Sequence, residues 1–387
     1  MRLLHTSDWH LGRSFHRGDL LVAQAQFVDF LVETVVAEGV DAVLVSGDVY
    51  DRALPSIDAV ALCNDALGRL MRTGTRVVLI SGNHDSARRL GFGAELIDAA
   101  GVHLRTDPRR VDEPVLLAQP DGSGEVAVYT IPYLEPDAVR AELLDAASEA
   151  RGHEAVLDAA MTRIRADLAG RPGTRSVVLA HAFVAGGVAS ESERDISVGG
   201  VSVVPAGCFH GVDYTALGHL HGAQALTETV RYSGSPIAYS FSEEHHRKVV
   251  LLVDLPSLAG SPVTVQALPT PVHRPIARVR STLDDLLTAQ RWAPYSEHYL
   301  QVTLTDAERP RDAMARLRTR FPQTLVLVFA PESAADEEPS YAARLRGKSD
   351  LEVATDFVAH VRSTPDCDES ALLARALESV RADEVAV

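Results

Sequence analysis

The chain has 387 residues, 46% of them hydrophobic and 23% charged, a balance that fits a folded globular protein and excludes a disordered or fibrous one. That length exceeds what one hydrophobic core usually supports, so more than one domain is expected. Its 53 acidic against 37 basic residues give a formal net charge of -16, the wrong sign for gripping nucleic acid by surface charge alone.

Near the start, Asp8 interrupts the first apolar run before it reaches the length of a signal-peptide core, and no later run approaches membrane-spanning length. The cysteines, Cys63, Cys208 and Cys367, are far apart and odd in number. A cytoplasmic protein with structural thiols and no membrane contact is expected.

From there the chain alternates apolar strand patterns (RLLHTS, AVLVSG, RVVLIS) with helical ones at Asp19–Gly39 and Ser56–Gly74, a βαβαβ unit. Leu20, Phe27, Phe30, Leu31 and Val35 recur at helical spacing and are expected on one face. Strands are expected next at EVAVYTIPYL, SVVLAHAF, YTALGHL, VRYSGS and KVVLLVDL, with helices near Pro136–Ala147 and His153–Ala169. A βαβ half followed by a strand-rich half predicts two stacked sheets with helices outside, a four-layer α/β/β/α sandwich. The proline-punctuated Leu268–Pro275 reads as a linker, and a β-α-β-α-β pattern after it predicts a small separate α/β domain. Past an acidic gap, PESAADEEPS, two amphipathic segments, Leu351–Val361 and Ala371–Val380, predict a helical tail capped at Asp350 and Ser370. The expected division is 1–268, 275–332 and 340–387.

Five polar clusters follow expected strands: SDWH (Asp8, His10), GDVYD (Asp48, Asp51), GNHD (Asn83, His84, Asp85), AHAF (His181) and GHLH (His219, His221). In layered α/β proteins the carboxyl ends of strands share a crevice, so these clusters are expected to converge. Carboxylate, amide oxygen and imidazole without thiolate favour a divalent ion such as Mn²⁺ and admit Fe²⁺, Zn²⁺ or Mg²⁺. Residues i and i+2 of an extended strand share a face, which pairs Asp8 with His10 and His219 with His221, and turns Trp9 toward the core. Asp8, His10, Asp48, Asn83, His181, His219 and His221 are too many ligands for one ion. They suffice for two if a carboxylate bridges, an arrangement suited to in-line displacement at phosphorus. One DxH alone is weak, but five clusters in order, each at a strand end, are not explained by turn chemistry. The other histidines read as structural or surface groups, with His16 and His210 the nearest to the clusters. Arg13 with Arg17, and Arg88 with Arg89, suit either a solvated face or a phosphate.

The ordered set DWH, GDVYD, GNHD, AHAF and GHLH resembles the calcineurin-like metallophosphoesterases, whose fold is the sandwich expected above. The opening MRLLHTSDWHLGRSF, the segment VRYSGSPIAYSFSEE and the length are similar to DNA-nuclease members of that family. The resemblance implies a Mn²⁺-dependent DNA exonuclease and endonuclease acting on double-stranded ends and hairpins, a homodimer inside a heterotetramer with a coiled-coil ATPase. It implies one metal on Asp8, His10, Asp48 and His221 and a second on Asp48, Asn83, His181 and His219, with His84 outside both as the catalytic histidine. It also implies that 275–332 caps the site and that the tail docks on the ATPase. A small nucleotide or phosphoprotein substrate, and a binding module with a relic metal site, are the competing readings.

Overall fold

The computed structural model describes residues 1–16, 18–144, 150–193, 203–331, 348–361 and 369–377. The chain opens with β1 (Arg2–Thr6), a short antiparallel pair β2 (Ser14–Phe15) and β3 (Gly18–Asp19), and α1 (Leu21–Glu38). Next come β4 (Ala42–Ser46), α2 (Ile57–Arg72), β5 (Arg76–Ile80), the short α3 (Ala87–Leu90) and α4 (Ala94–Asp98), and β6 (Val102–Arg105). The middle of the chain holds β7 (Val115–Ala118), β8 (Glu125–Ile131), α5 (Pro136–Leu143), α6 (Gly152–Ala169) and β9 (Arg175–His181). Strands β10 (Tyr214–Gly218), β11 (Gln224–Ala225), β12 (Val230–Tyr232), β13 (Val249–Asp254) and β14 (Thr264–Pro269) follow. The remainder is β15 (Ile276–Ser281), α7 (Leu283–Thr288), β16 (Tyr299–Leu304), α8 (Ala313–Arg320), β17 (Thr324–Phe329) and α9 (Asp350–Val361).

One sheet has the order β14-β13-β1-β4-β5-β6 and the other β11-β12-β10-β9-β8-β7. Strand alternation sorts their residues into layers. Leu4, Val43, Val45, Val77 and Leu79 on one face of the first sheet pack against Phe27, Val28 and Leu31 of α1 and Cys63, Ala66 and Leu70 of α2. Leu3, Ala42, Leu44, Val78 and Ile80 on its other face meet Val126, Val128, Val177, Leu179 and Ala216 of the second sheet. That sheet's outer face, including Tyr129, Val178 and Leu217, is covered by Val139 of α5 and Val156, Met161 and Ile164 of α6. The result is the expected α/β/β/α sandwich. Because each buried Val or Leu contributes roughly 1.5–3 kcal/mol, a one-residue slip that exchanged the faces of β1 would be strongly opposed.

Some expectations need correction. Leu20 precedes α1 and packs instead with Phe15, Ile237, Tyr239 and Phe241, while the buried stripe of α1 includes the polar Gln24 and Thr34. Leu268 and Pro269 are not linker; they pair with Val250 and Val249 at the end of β14. A proline is tolerated there because β14 is an edge strand. α9 begins at Asp350, and its cap is Ser349, whose amide and hydroxyl both reach Glu352 Oε2 at 2.7 Å in a capping box. Ser370 lies inside the helical residues 369–377 rather than ahead of them. Arg17, Cys367, most of the acidic gap and the last three residues of the segment Ala371–Val380 lie outside the described residues.

Two compact units are present. The first comprises residues 1–304 and 311–328, and the second 305–310 and 329–387. Within the first, the sheet β15-β16-β17 places Ile276, Tyr299, Leu325 and Val326 against the cluster of Phe15, Leu20 and Phe241. Within the second, Lys348 forms an ion pair with Asp356. Among the described residues no helix is long and apolar enough to cross a membrane.

Candidate metal centre

β1, β4, β5, β9 and β10 deliver all five clusters to one place, but not by strand alternation. β1 ends at Thr6 and β10 at Gly218, and Asp8, His10, Asp48 and His219 have φ of 54°, 43°, 49° and 107°. The expected i, i+2 pairing of Asp8 with His10 and of His219 with His221 on extended strands is therefore wrong. Each pair lies in a loop whose left-handed residues aim the side chains. The strain is held by neighbouring backbone: Asp8 and His10 amides donate to the Gly47 and Asp48 carbonyls at 3.0 and 2.9 Å. Gln24 of α1 adds a clamp, accepting from the Gly12 amide at 2.9 Å and donating to the His10 carbonyl at 2.7 Å. Close approach between strands from the two sheets requires Gly218, where a Cβ would lie 1.9 Å from the Ser46 carbonyl oxygen.

Three overlapping sets bring their ligand atoms within 4.8 Å of one another: Asp8, His10 and His221; His10, Asp48 and His84; Asp8, Asp48 and His181. Asn83 and His219 complete the ring, with Asn83 Oδ1 2.9 Å from His181 Nε2 and 3.2 Å from His219 Nδ1. Asp8 also accepts the His219 amide at 3.1 Å. His84 donates its backbone amide to Asp48 Oδ1 at 2.8 Å and turns its ring Nδ1 to the Asp51 carbonyl at 2.8 Å.

This donor set fits a cation. His181 Nδ1 lies 2.9 Å from the Ser46 carbonyl, which can only accept, so its proton sits there and the lone pair is on Nε2. That lone pair faces Asn83 Oδ1 and, at 3.6 Å, Asp48 Oδ2, both acceptors. His10 and His221 bring their Nε2 atoms to 3.0 Å, and His10 Nδ1 is buried without a hydrogen-bond partner. Burial pushes the Asp8 carboxyl up to about 6 and the His181 imidazole down to about 3. Burial, reinforced by the Asp8 charge, raises Asp48 well above the usual carboxylate range, and burial holds His10 and His219 well below the usual imidazole range. Converging lone pairs that resist charging one another are the state a divalent ion relieves.

Trp9 points away from the cluster as expected, fully buried edge-on against Phe27, with Nε1 donating to Thr6 Oγ1 at 3.0 Å. His16 meets the Phe15 ring edge-on and packs tilted against Phe241, and His210 turns to the Gly207 carbonyl. Arg13 donates to the Ser192 carbonyl at 3.0 Å and covers the Tyr239 ring, while Arg89 reaches the Ala53 carbonyl at 3.0 Å. Sequence reading named Asp85 without a role and missed the groups around His221 altogether. Asp85 accepts the Val49, Tyr50 and Gly82 amides at 3.1, 2.9 and 2.9 Å, tying two motif loops together. Ser192, Glu193, Glu243 and Lys248 surround His221; the SFSEE segment was visible, but no ligand spacing marks it.

The match to the model described as calcineurin-like phosphoesterase covers residues 1–223, so the chain belongs to that family. By class it is a metal-dependent phosphodiesterase. Residues 272–362 match the Type 5 capsule protein repressor C-terminal domain. The chain is similar to the SbcD component of the nuclease SbcCD from Staphylococcus saprophyticus, 29% identical over 329 residues that make up 84% of each protein. Among solved structures, a dimetal phosphatase from Danio rerio shares 12% identity with a TM-score of 0.41 over 70% of this chain and 97% of that one. A Thermus thermophilus protein shares 14% identity with a TM-score of 0.37 over 69% and 98%.

Proposed function

We propose that this chain is the nuclease component of an SbcCD-type complex, a Mn²⁺-dependent exonuclease and endonuclease that hydrolyses phosphodiesters at double-stranded DNA ends and hairpins in the cytoplasm. The observation that carries the proposal is the convergence of buried carboxylates with imidazole lone pairs around Asp48. Asp8, His10, Asp48 and His221 would hold one ion and Asp48, Asn83, His181 and His219 the other, with Asp48 shared. When bound, two divalent ions supply Lewis acidity and a more acidic water near neutral pH. These side chains would hold the ions in place, and bound cations would offset the net charge of -16 locally where a polyanion must approach. His84 commits Nδ1 to the Asp51 carbonyl, so proton donation or hydrogen bonding to substrate falls to its Nε2.

The same reading makes 275–332 a capping domain and 340–387 a docking segment for an SbcC-like coiled-coil ATPase. A second copy of the chain would pair through the apolar groups that follow the GDVYD and GNHD clusters: Ile57, Phe92, Leu96 and Leu54 are 88%, 87%, 85% and 70% exposed. The Arg89–Ala53 hydrogen bond holds those two segments together. The decisive assay is Mn²⁺-dependent digestion of linear duplex DNA beside a generic phosphodiester. Cleavage of duplex DNA supports the proposal, and activity on the generic ester alone points to a small nucleotide or phosphoprotein substrate. Deleting the chain after Pro339 should spare cleavage and abolish co-purification with the ATPase.

A further inference from the structure

Behind His221 lies a buried chain of polar groups that no metal ligand requires for its own fold. His221 Nδ1 is 2.7 Å from Ser192 Oγ, and Ser192 Oγ donates to Glu243 Oε1 at 2.5 Å. Glu243 is fully buried, and its other oxygen is held by Lys248 Nζ. Lys248 spends its two other protons on the His221 carbonyl at 2.9 Å and Ser235 Oγ at 2.8 Å. The His221 amide in turn donates to Glu193 Oε1 at 2.7 Å. Both ends of the His221 backbone and the far side of its ring are thus fixed by side chains from distant segments.

The logic of the protons gives this chain a direction. Glu243, ionised by Lys248, can only accept, and at 2.5 Å its carboxylate is a nearer and stronger acceptor for the single Ser192 hydroxyl proton than Ser190 Oγ at 2.7 Å, which spends its own proton on Glu193 Oε2. Ser192 Oγ is then an acceptor toward His221, which must place its own proton on Nδ1. Nε2 is left as a lone pair, aimed at Asp8 and His10. If the acceptor at position 243 could donate, the hydroxyl would turn round, donate to Nδ1, and drive the His221 proton onto Nε2, where it would block a metal.

We infer that Glu243, acting through Ser192 and held by Lys248, is a positioning residue that selects the metal-binding tautomer of His221. This rests on the reading of His221 as a metal ligand. Outer groups of this kind typically change metal affinity by about ten- to a hundredfold when removed.

The test uses the full chain and Mn²⁺ alone. Glu243→Gln, which can donate to Ser192, should weaken one class of Mn²⁺ site by roughly ten- to a hundredfold in calorimetric titration and leave the other unchanged. Ser192→Ala should weaken it less, because Nδ1 retains Glu243 Oε1 at 3.3 Å. In the metal-free protein, nitrogen-15 spectra of the histidine rings should place the His221 proton on Nδ1 in the wild type and on Nε2 in Glu243→Gln. Unchanged affinity and an unchanged tautomer in Glu243→Gln overturn the inference. His221→Ala separates the two levels: if it binds Mn²⁺ as the wild type does, the ligand reading has failed. If it binds weakly while Glu243→Gln binds normally, only the tautomer role has failed. Should melting curves show Glu243→Gln unfolded, Ser192→Ala decides, and wild-type affinity there overturns the proposal.

Discussion

The His84 backbone amide donates to Asp48 Oδ1 at 2.8 Å, so the residue steadies that carboxylate through its main chain, while its ring turns Nδ1 to the Asp51 carbonyl. The contrast between two variants follows. Asp48→Ala should remove Mn²⁺ binding and DNA cleavage together. His84→Gln keeps the amide bond and should retain both ions in titration while turnover drops by roughly 10² to 10⁴. Loss of the ions from His84→Gln would show that its ring is a ligand.

Asp85 makes a different prediction, because its carboxylate is held by backbone amides. Its carboxylate closes three amides from the loops after β4 and β5. Asp85→Ala leaves those donors short of a partner and should cost about 3 kcal/mol or more in urea unfolding. The loops that carry Asp48 and Asn83 should loosen too, so Mn²⁺ affinity falls with stability. An unaltered unfolding midpoint would refute the clamp.

Acid sensitivity can be assigned in part to His5. It lies between the sheets, with Nε2 3.1 Å from the Leu217 carbonyl and Nδ1 3.0 Å from the Tyr214 hydroxyl. Burial pushes its pKa down to about 3, against about 6.5 in an unfolded chain. Between those values the unfolded state binds more protons, so His5 makes stability rise with pH across that window and fall as acid is added. His5→Gln should flatten the wild-type slope by up to about 1.4 kcal/mol per pH unit between pH 4 and 6. Equal slopes for the two proteins would contradict this.

Self-association is readily tested on the exposed apolar groups. Phe92→Asp or Ile57→Asp places a charge where a second copy would bury a side chain, and should shift sedimentation from dimer to monomer. The site lies in the same unit, so Mn²⁺ binding should persist. A wild-type profile for both variants would move the contact elsewhere.

Much of this was legible in the sequence for a physical reason. Strands buried on both faces read as continuous apolar runs, and the polar residues ending them had no structural excuse. Asp8, His10, Asp48, Asn83, His181, His219 and His221 could therefore be named before any geometry. What escaped was how they converge: nothing in the letters DWH says that Asp8 and His10 adopt left-handed φ. The supporting groups escaped as well, because Ser192 and Glu243 gain meaning only from contacts 29 and 22 residues away from His221. Proline at the end of β14 read as a linker because edge position is not written in composition.

The gap between Ser46 and Gly218 has a mechanical consequence. Residue 218 puts no side chain between its backbone and the Ser46 carbonyl, while Ser46 Oγ donates across to the Ala216 carbonyl at 2.9 Å and its own carbonyl takes the His181 proton. Sliding one sheet over the other would shear these bonds and split the donor ring in the same movement. Heating the Mn²⁺-loaded protein should therefore release metal and melt the sandwich in a single step, with no warm intermediate that keeps its layers but has lost its metal.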